Sequence, residues 1–120
     1  MLGIMKSPTD VVQEQLEAYN ARDLEGFAAT YSDDIAIYRM PAMEAAIVGM
    51  EQLRETYRKR FESPNLHADI VNRIVVGNKV IDHERVVGFK EHAIEAVAVY
   101  EVNAGLIATV WFFYPESNKP

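Results

Sequence analysis

The second half of the chain consists of long runs of β-branched and aromatic residues separated by short turns. Such residues favour extended strands, and the turns contain glycine or asparagine, which can reverse the chain within a few positions. The four predicted strands are Leu66–Val76, Lys79–Phe89, Ala93–Val102 and Leu106–Tyr114. Because consecutive strands joined by short turns run in opposite directions, this half predicts a largely antiparallel sheet.

The first half shows helical spacing instead. Ser7 and Asp23 stand where helix-capping residues are expected. Apolar residues recur at helical intervals in three groups: Val12, Leu16 and Tyr19; Leu24, Phe27, Ala28 and Tyr31; and Met50, Leu53, Tyr57 and Phe61. A short strand is predicted at Ile35–Arg39 and a loop at Met40–Val48. The order ααβαββββ predicts an α+β fold, with three helices on one face of a curved sheet, in a single domain spanning residues 1–120.

Composition narrows the possible functions. A net charge of −6 argues against a general nucleic-acid binder, which would present a basic face. The one basic cluster, Arg54, Arg58, Lys59 and Arg60, is interleaved with glutamates and predicts a solvated helical face. The absence of cysteine excludes disulfides, thiolate metal sites and cysteine nucleophiles. With neither a signal peptide nor a long apolar span visible, we expect a cytoplasmic protein that does not associate with a membrane.

The last predicted strand is apolar on both faces. Ala108, Val110, Phe112 and Tyr114 alternate with Ile107, Thr109, Trp111 and Phe113, and Val97 and Val99 extend the second surface onto the neighbouring strand. A strand that is apolar on both sides is usually buried on both sides, and the helices cover only one. The pattern predicts a homodimer through this outer surface. The alternative is that Trp111 and Phe113 lie under the chain's own tails.

Three segments carry a family resemblance. The run VVQEQLEAYNARDLEGFAATYSDD, the helix MEQLRETY after Gly49 and the strands ending in VWFFY resemble the nuclear transport factor 2-like superfamily, and within it the SnoaL-like and steroid Δ-isomerase-like branch. The likeness extends from about Val11 to Glu116. It implies a cone-shaped α+β domain that is usually dimeric through the outer face of its sheet, with a mostly apolar pocket between the helices and the inner face.

The catalytic residues of the ketosteroid isomerases do not carry over. Matching along the resemblance places Gln15 at their tyrosine, Arg39 at their aspartate base and Ala98 at their protonated aspartic acid. Only the supporting tyrosine of the third helix is retained, as Tyr57. An arginine stays protonated at neutral pH and alanine cannot donate a hydrogen bond, so the isomerase mechanism is not expected here.

The stretch NKVIDHERVVGF supplies other candidates. The register implied by the resemblance turns Val80, Asp82, Glu84, Val86 and Gly88 toward the pocket, together with Asn72, Ala96, Ala98 and Tyr100 on neighbouring strands. Two carboxylates in an apolar cavity would not both ionise comfortably, so Glu84 or Asp82 is the expected proton-transfer group. Arg39, Asn72, Tyr57, Tyr100 and Phe112 are the expected ligand-binding residues, and the ligand is expected to be a small apolar molecule.

Other interpretations stay open. Either acid could form a structural ion pair with Arg39 or Arg73, and a register error of one residue would turn His83 and Arg85 inward instead. No metal site is expected from the pair His67 and Asp69, and no cofactor, serine triad or phosphate loop is expected either. Two functions follow: a cofactor-independent isomerase, cyclase or hydratase, or a non-catalytic dimeric module that binds a ligand or a partner.

Overall fold

The structure, a computed structural model, describes residues 6–116 and confirms the α+β class. Its helices are α1 (Pro8–Asn20), α2 (Leu24–Ala28) and α3 (Gly49–Arg60). Its strands are β1 (Tyr31–Arg39), β2 (Ile47–Val48), β3 (His67–Val76), β4 (Lys79–Val87), β5 (Ile94–Asn103) and β6 (Leu106–Phe113). They form one curved sheet in the order β2-β1-β6-β5-β4-β3, in which only β1 and β6 pair in parallel. The helices pack on its inner face and close a cone.

The predicted helix starts are confirmed by their caps. The Ser7 hydroxyl accepts a hydrogen bond from the Asp10 N–H at 3.1 Å, and the Asp23 carboxylate accepts one from the Gly26 N–H at 3.0 Å. Each cap satisfies one of the backbone donors that a helix leaves free in its first turn. No helix within residues 6–116 is long and apolar enough to cross a membrane.

The boundary between α2 and β1 differs from the prediction. Tyr31 is not on the helical stripe of α2, which ends at Ala28; it begins β1 and pairs with Ile107 of β6. Tyr31 is buried either way, so its apolar character did not distinguish helix from strand. The predicted loop Met40–Val48 also contains a short strand, β2, which pairs with β1.

Two irregularities shift the register of the long strands. The pairing of β3 with β4 slips between Ile70 and Asn72, so Asn72 lies opposite His83 and Arg73 lies opposite Asp82. The predicted inward placement of Asn72 is therefore wrong: Asn72 is exposed, and Arg73 takes the inward position. A bulge adds one residue to one strand and reverses the faces of everything beyond it.

The second irregularity lies between β5 and β6. Glu101 pairs with Thr109 but Val102 pairs with Ile107, so Ala108 is the extra residue. Ile107 was predicted on the outer surface, and this placement is wrong, because its side chain is fully buried in the core.

Gly88 ends β4 rather than continuing its inward face as predicted. Its φ is +82°, and a Cβ there would collide with the backbone carbonyl of Asn65. Glycine is required at this position by both its conformation and the close approach of the two backbones.

The core between helices and sheet is rich in aromatic rings. Phe27, fully buried, lies 4.5 Å from the Tyr57 ring and 5.0 Å from the Tyr31 ring between centroids, and Tyr19 and Phe61 complete the cluster. Large rings packed at these distances contribute both burial and favourable ring geometry. The cluster fixes α1, α2 and α3 against the wide part of the sheet.

The outer face of the sheet carries a continuous apolar row. Residues paired from strand to strand align Ile74, Ile81, Val99, Trp111 and Tyr38 across β3, β4, β5, β6 and β1. The Tyr38 and Trp111 rings stack, with centroids 6.3 Å apart. No element of residues 6–116 covers this row, which we call the outer apolar row.

Candidate functional site

A cavity opens between α1, α3 and the inner face of the sheet. Its empty volume, counted out to and including its open mouth, is about 700 Å³. Aliphatic and aromatic side chains form most of its wall, and the charged residues on it are Arg39, Arg60, Asp82 and Glu84.

β4 turns its acid pair inward, which confirms the predicted register of that strand. Val80, Asp82 and Val86 are buried on this face, and Glu84 lines the cavity between Ala96 of β5 and Ile70 of β3. β4 is free of the slippage that displaces residues on β3, because its pairing with β5 runs without a break from Lys79 to Val86.

Asp82 is committed to an ion pair. Its Oδ1 accepts from Arg73 Nε at 2.6 Å and its Oδ2 from Arg73 Nη2 at 2.9 Å, a two-point contact with a carboxylate that is only 1% exposed. Arg73 Nη1 also donates to Gln13 Oε1 at 2.9 Å. The hydrogen bonds to Asp82 raise the pKa of Arg73. The ion pair with Arg73, left open by the sequence, is thus present for Asp82.

Glu84 has a different environment. It forms no ion pair within residues 6–116. Burial raises its pKa to about 8, the negative charge of Asp82 adds to that rise, and the charge of Arg60 opposes it. The part of the Glu84 side chain that remains accessible faces the cavity. A ligand in the cavity can therefore contact this carboxyl although burial has desolvated it. At neutral pH the Glu84 carboxyl is therefore protonated in most molecules of the protein.

Two guanidinium groups reach the same cavity. Arg39 is the last residue of β1 and Arg60 the last of α3. The Arg60 guanidinium lies over the Phe89 ring at 4.2 Å and over the Tyr57 ring at 5.2 Å from their centroids. The Arg39 Nε is buried and has no hydrogen-bond partner among the described residues.

Tyrosine hydroxyls line the remaining polar surface. Burial raises the pKa of Tyr57 and Tyr100, so both hydroxyls stay protonated and can donate a hydrogen bond. Tyr19 is only 6% exposed; burial raises the pKa of its hydroxyl, and the neighbouring Arg60 guanidinium opposes that rise.

The cavity brings together most of the residues singled out from the sequence. Glu84, Asp82, Arg39, Tyr57, Tyr100 and Phe112 all line it, and Asn72 does not. Gln15 lies on the cavity wall, and Ala98 is buried on the inner face of β5.

Arg60 is the residue that the sequence analysis missed. It was assigned to a solvated basic face with Arg54, Arg58 and Lys59, and for Arg60 this is wrong. Arg60 follows Tyr57 by three positions and therefore lies on the apolar side of α3. This spacing from Tyr57 could have predicted that Arg60 lies on the apolar side of the helix. The glutamates interleaved with the basic cluster favoured a solvated face instead.

The histidines lie away from the cavity. His67 Nε2 is 3.0 Å from Asp69 Oδ1, and His83 Nε2 is 2.9 Å from Glu95 Oε2, both at accessible positions. Across residues 6–116, no three histidine, aspartate or glutamate side chains are arranged to hold a metal ion.

Solved structures share this architecture. A protein of cystatin fold from Novosphingobium aromaticivorans is 23% identical, with 89% of this chain and 97% of that chain aligned and a TM-score of 0.82. A protein of ketosteroid isomerase-like fold from Catenulispora acidiphila, solved with trimethylamine, is 17% identical over 94% and 90% of the two chains, with a TM-score of 0.75. A computationally designed 17-OHP binder is 18% identical over 94% and 96%, with a TM-score of 0.82.

Comparison with curated proteins finds no match. The family model of the SnoaL-like domain matches residues 12–110, which include every strand that builds the cavity wall except the end of β6. This chain belongs to the SnoaL-like domain family.

Proposed function

We propose that this protein binds a small, largely apolar molecule in the cone cavity and that Glu84 exchanges a proton with it. The reaction would be of the isomerase, cyclase or hydratase kind and would need no cofactor. The observation that carries the proposal is the isolation of Glu84, which lies in the cavity without an ion-pair partner among the described residues, while its neighbour Asp82 is held by Arg73.

Glu84 has the chemistry that such a step requires. A group with a pKa of about 8 is protonated in most molecules at neutral pH, yet it releases its proton at little cost. In the protonated form it can donate to a carbonyl or leaving oxygen, and in the ionised form it can remove a proton from carbon. The hydroxyls of Tyr57 and Tyr100 would orient the oxygen of the substrate, with Phe112 and the aliphatic wall holding its apolar body.

The family context supports ligand binding without specifying the reaction. The Catenulispora acidiphila protein was solved with trimethylamine and the designed protein binds 17-OHP, so this cone can hold small molecules of different chemistry. At the ketosteroid isomerase positions here, Arg39 cannot act as the base and Ala98 cannot donate a hydrogen bond to an oxyanion. A proton-transfer site would therefore be built on β4.

The proposal is tested by hydrogen exchange into enolisable ketones and esters in D₂O, followed by NMR. We expect the wild type to accelerate exchange of at least one compound that binds, Glu84→Gln to lose this acceleration while remaining folded, and Glu95→Gln on the outer face to retain it. Undiminished exchange by Glu84→Gln would refute the assignment. Binding without exchange of any compound would favour the second candidate.

The second candidate is a non-catalytic dimeric module, in which the outer apolar row would form the contact between two copies. Ile74 is 52% exposed, and beside the row Phe113 is 44% exposed and Val97 37%. Leaving such a surface in water is unfavourable, and a second copy of the chain presents a matching surface. We propose a homodimer through this face, with Trp111, Phe113, Val97 and Val99 in the contact. Dimerisation is compatible with either function.

A further inference from the structure

The cavity contains more positive charge than its own acids can balance. Asp82 is already neutralised by Arg73. Glu84 is then the only remaining acid on the wall, facing both Arg39 and Arg60. The wall therefore carries an excess of positive charge whether Glu84 is protonated or ionised.

Neither arginine has a carboxylate partner within residues 6–116. Arg60 is held by the faces of two aromatic rings, those of Tyr57 and Phe89. A guanidinium stacked on rings keeps its N–H edge free for a planar acceptor. One hydrogen bond of Arg60 goes to the Tyr19 hydroxyl, and a guanidinium has five N–H donors in all, so donors remain for a ligand.

One buried donor at the same site lacks an acceptor among residues 6–116. This is the Nε of Arg39, whose side chain lines the cavity. A buried donor without an acceptor is costly, and a bound group can relieve that cost.

The arginines act on a common region. The charges of both Arg39 and Arg60 lower the pKa of Tyr57 and of Tyr114, against the larger effect of burial, so both guanidinium groups lie near these two rings. A single anionic group placed there could contact both.

We infer that the ligand is an amphiphilic carboxylate, whose carboxylate group binds between Arg39 and Arg60 while its apolar body lies against the aliphatic and aromatic wall. This inference rests on the proposed binding function and names its ligand class. Carboxylate is favoured because its two oxygens match the fork of a guanidinium. A ligand that is cationic would meet uncompensated positive charge.

The test compares 2-naphthoate with 2-naphthamide, which have nearly the same shape and differ in charge. Binding is followed by NMR, including the Nε–Hε signals of the arginines. We expect naphthoate to bind about tenfold more tightly than naphthamide and to shift the signals of Arg39 and Arg60. Arg39→Gln and Arg60→Gln should each reduce this preference several-fold.

Arg58→Gln is the matched control, since Arg58 lies on the same helix but outside the cavity and pairs with Glu55. It should leave the preference intact. Equal or tighter binding of the amide, no shift of the Arg39 and Arg60 signals up to the solubility limit, or an equal loss in Arg58→Gln would each overturn the inference. The wild-type comparison decides the matter even if a variant fails to fold.

The two proposals fail in different ways. Glu84→Gln should keep the preference for naphthoate, because the carboxylate contacts the arginines and not Glu84. A naphthoate preference with no exchange activity would refute proton transfer alone. Glu84-dependent exchange on a neutral ketone, with no naphthoate preference, would refute the carboxylate site alone.

Discussion

Asp82 and Glu84 project from the same face of β4 into one cavity, and among residues 6–116 only Asp82 has a basic partner. Asp82 binds Arg73 through both carboxylate oxygens, at 2.6 and 2.9 Å. Its charge, together with burial, keeps the proton on Glu84. The two acids therefore have different roles although they project from the same face of one strand: Asp82 fixes β3 to β4, and Glu84 is available to a ligand.

Breaking the Asp82–Arg73 pair should destabilise the fold. We expect Asp82→Asn to lower the free energy of unfolding by about 3 kcal/mol, because the partly buried Arg73 loses its counter-charge. Urea unfolding measures the change. Glu25→Gln, which removes the exposed pair with Arg54, is the control and should change stability little. Equal losses in the two variants would show that the buried pair is not special.

The stability of the wild type should decline with rising pH through the titration of Glu84. In the unfolded chain Glu84 loses its proton near 4.5, whereas in the folded protein it keeps the proton up to about 8. Between pH 4.5 and pH 8 the folded state binds more protons than the unfolded state, so the free energy of unfolding falls as the pH rises. The destabilisation by Glu84 is therefore absent below pH 4.5 and complete above pH 8. The charged groups that act on it are Asp82 and Arg60.

Urea unfolding of the wild type and Glu84→Gln at about pH 6 and about pH 9 measures this effect. The variant should gain stability relative to the wild type at the higher pH. An identical pH dependence of the two proteins would contradict the assignment.

Disrupting the outer apolar row should separate the proposed dimer. Trp111→Glu places a charge at the centre of the row, and Ile74→Lys does so at a site that is 52% exposed and so tests the interface without disturbing the core. Both should sediment as monomers at concentrations where the wild type is a dimer. Met43→Glu, at a position 93% exposed and outside the row, should remain dimeric. A wild-type monomer, or a dimer unaffected by Ile74→Lys, would refute the interface.

The close approach at Gly88 should make this position intolerant of a side chain. In Gly88→Ala the added Cβ would collide with the backbone carbonyl of Asn65. The alanine would also have to adopt an unfavourable φ of +82°. We expect a loss of about 2 kcal/mol or more in the free energy of unfolding. Gly77→Ala is the matched control, because φ there is also positive, +57°, but no atom lies within 4 Å of the added Cβ. Its loss should be about 1 kcal/mol. A larger loss at Gly77 would contradict the steric explanation.

Much of the fold follows from local patterns in the sequence. Capping by Ser7 and Asp23 and the alternation along β4 depend on neighbouring residues, and both predictions are confirmed. The register of β4 was sufficient to bring Asp82 and Glu84 to the cavity.

The errors arise where one residue changes the face of those that follow. Asn72 and Ile107 were misplaced because bulges near Val71 and Ala108 depend on pairing between strands, which alternation within one strand does not report. Arg60 was misread because its aromatic contacts include Phe89, which is distant in sequence. The roles of the cavity residues, the dimer and the cytoplasmic location stay predictions.

The most direct measurement of the central claim is the pKa of the Glu84 carboxyl, followed by the ¹³C NMR shift of its side-chain carboxyl carbon, with Glu84→Gln used to assign the signal. The account predicts a pKa of about 8 for Glu84 in the wild type and a lower value in Asp82→Asn, because the variant removes the neighbouring negative charge. A Glu84 pKa near 4.5 would contradict it, since the group would then be ionised at neutral pH and could not serve as the proton donor.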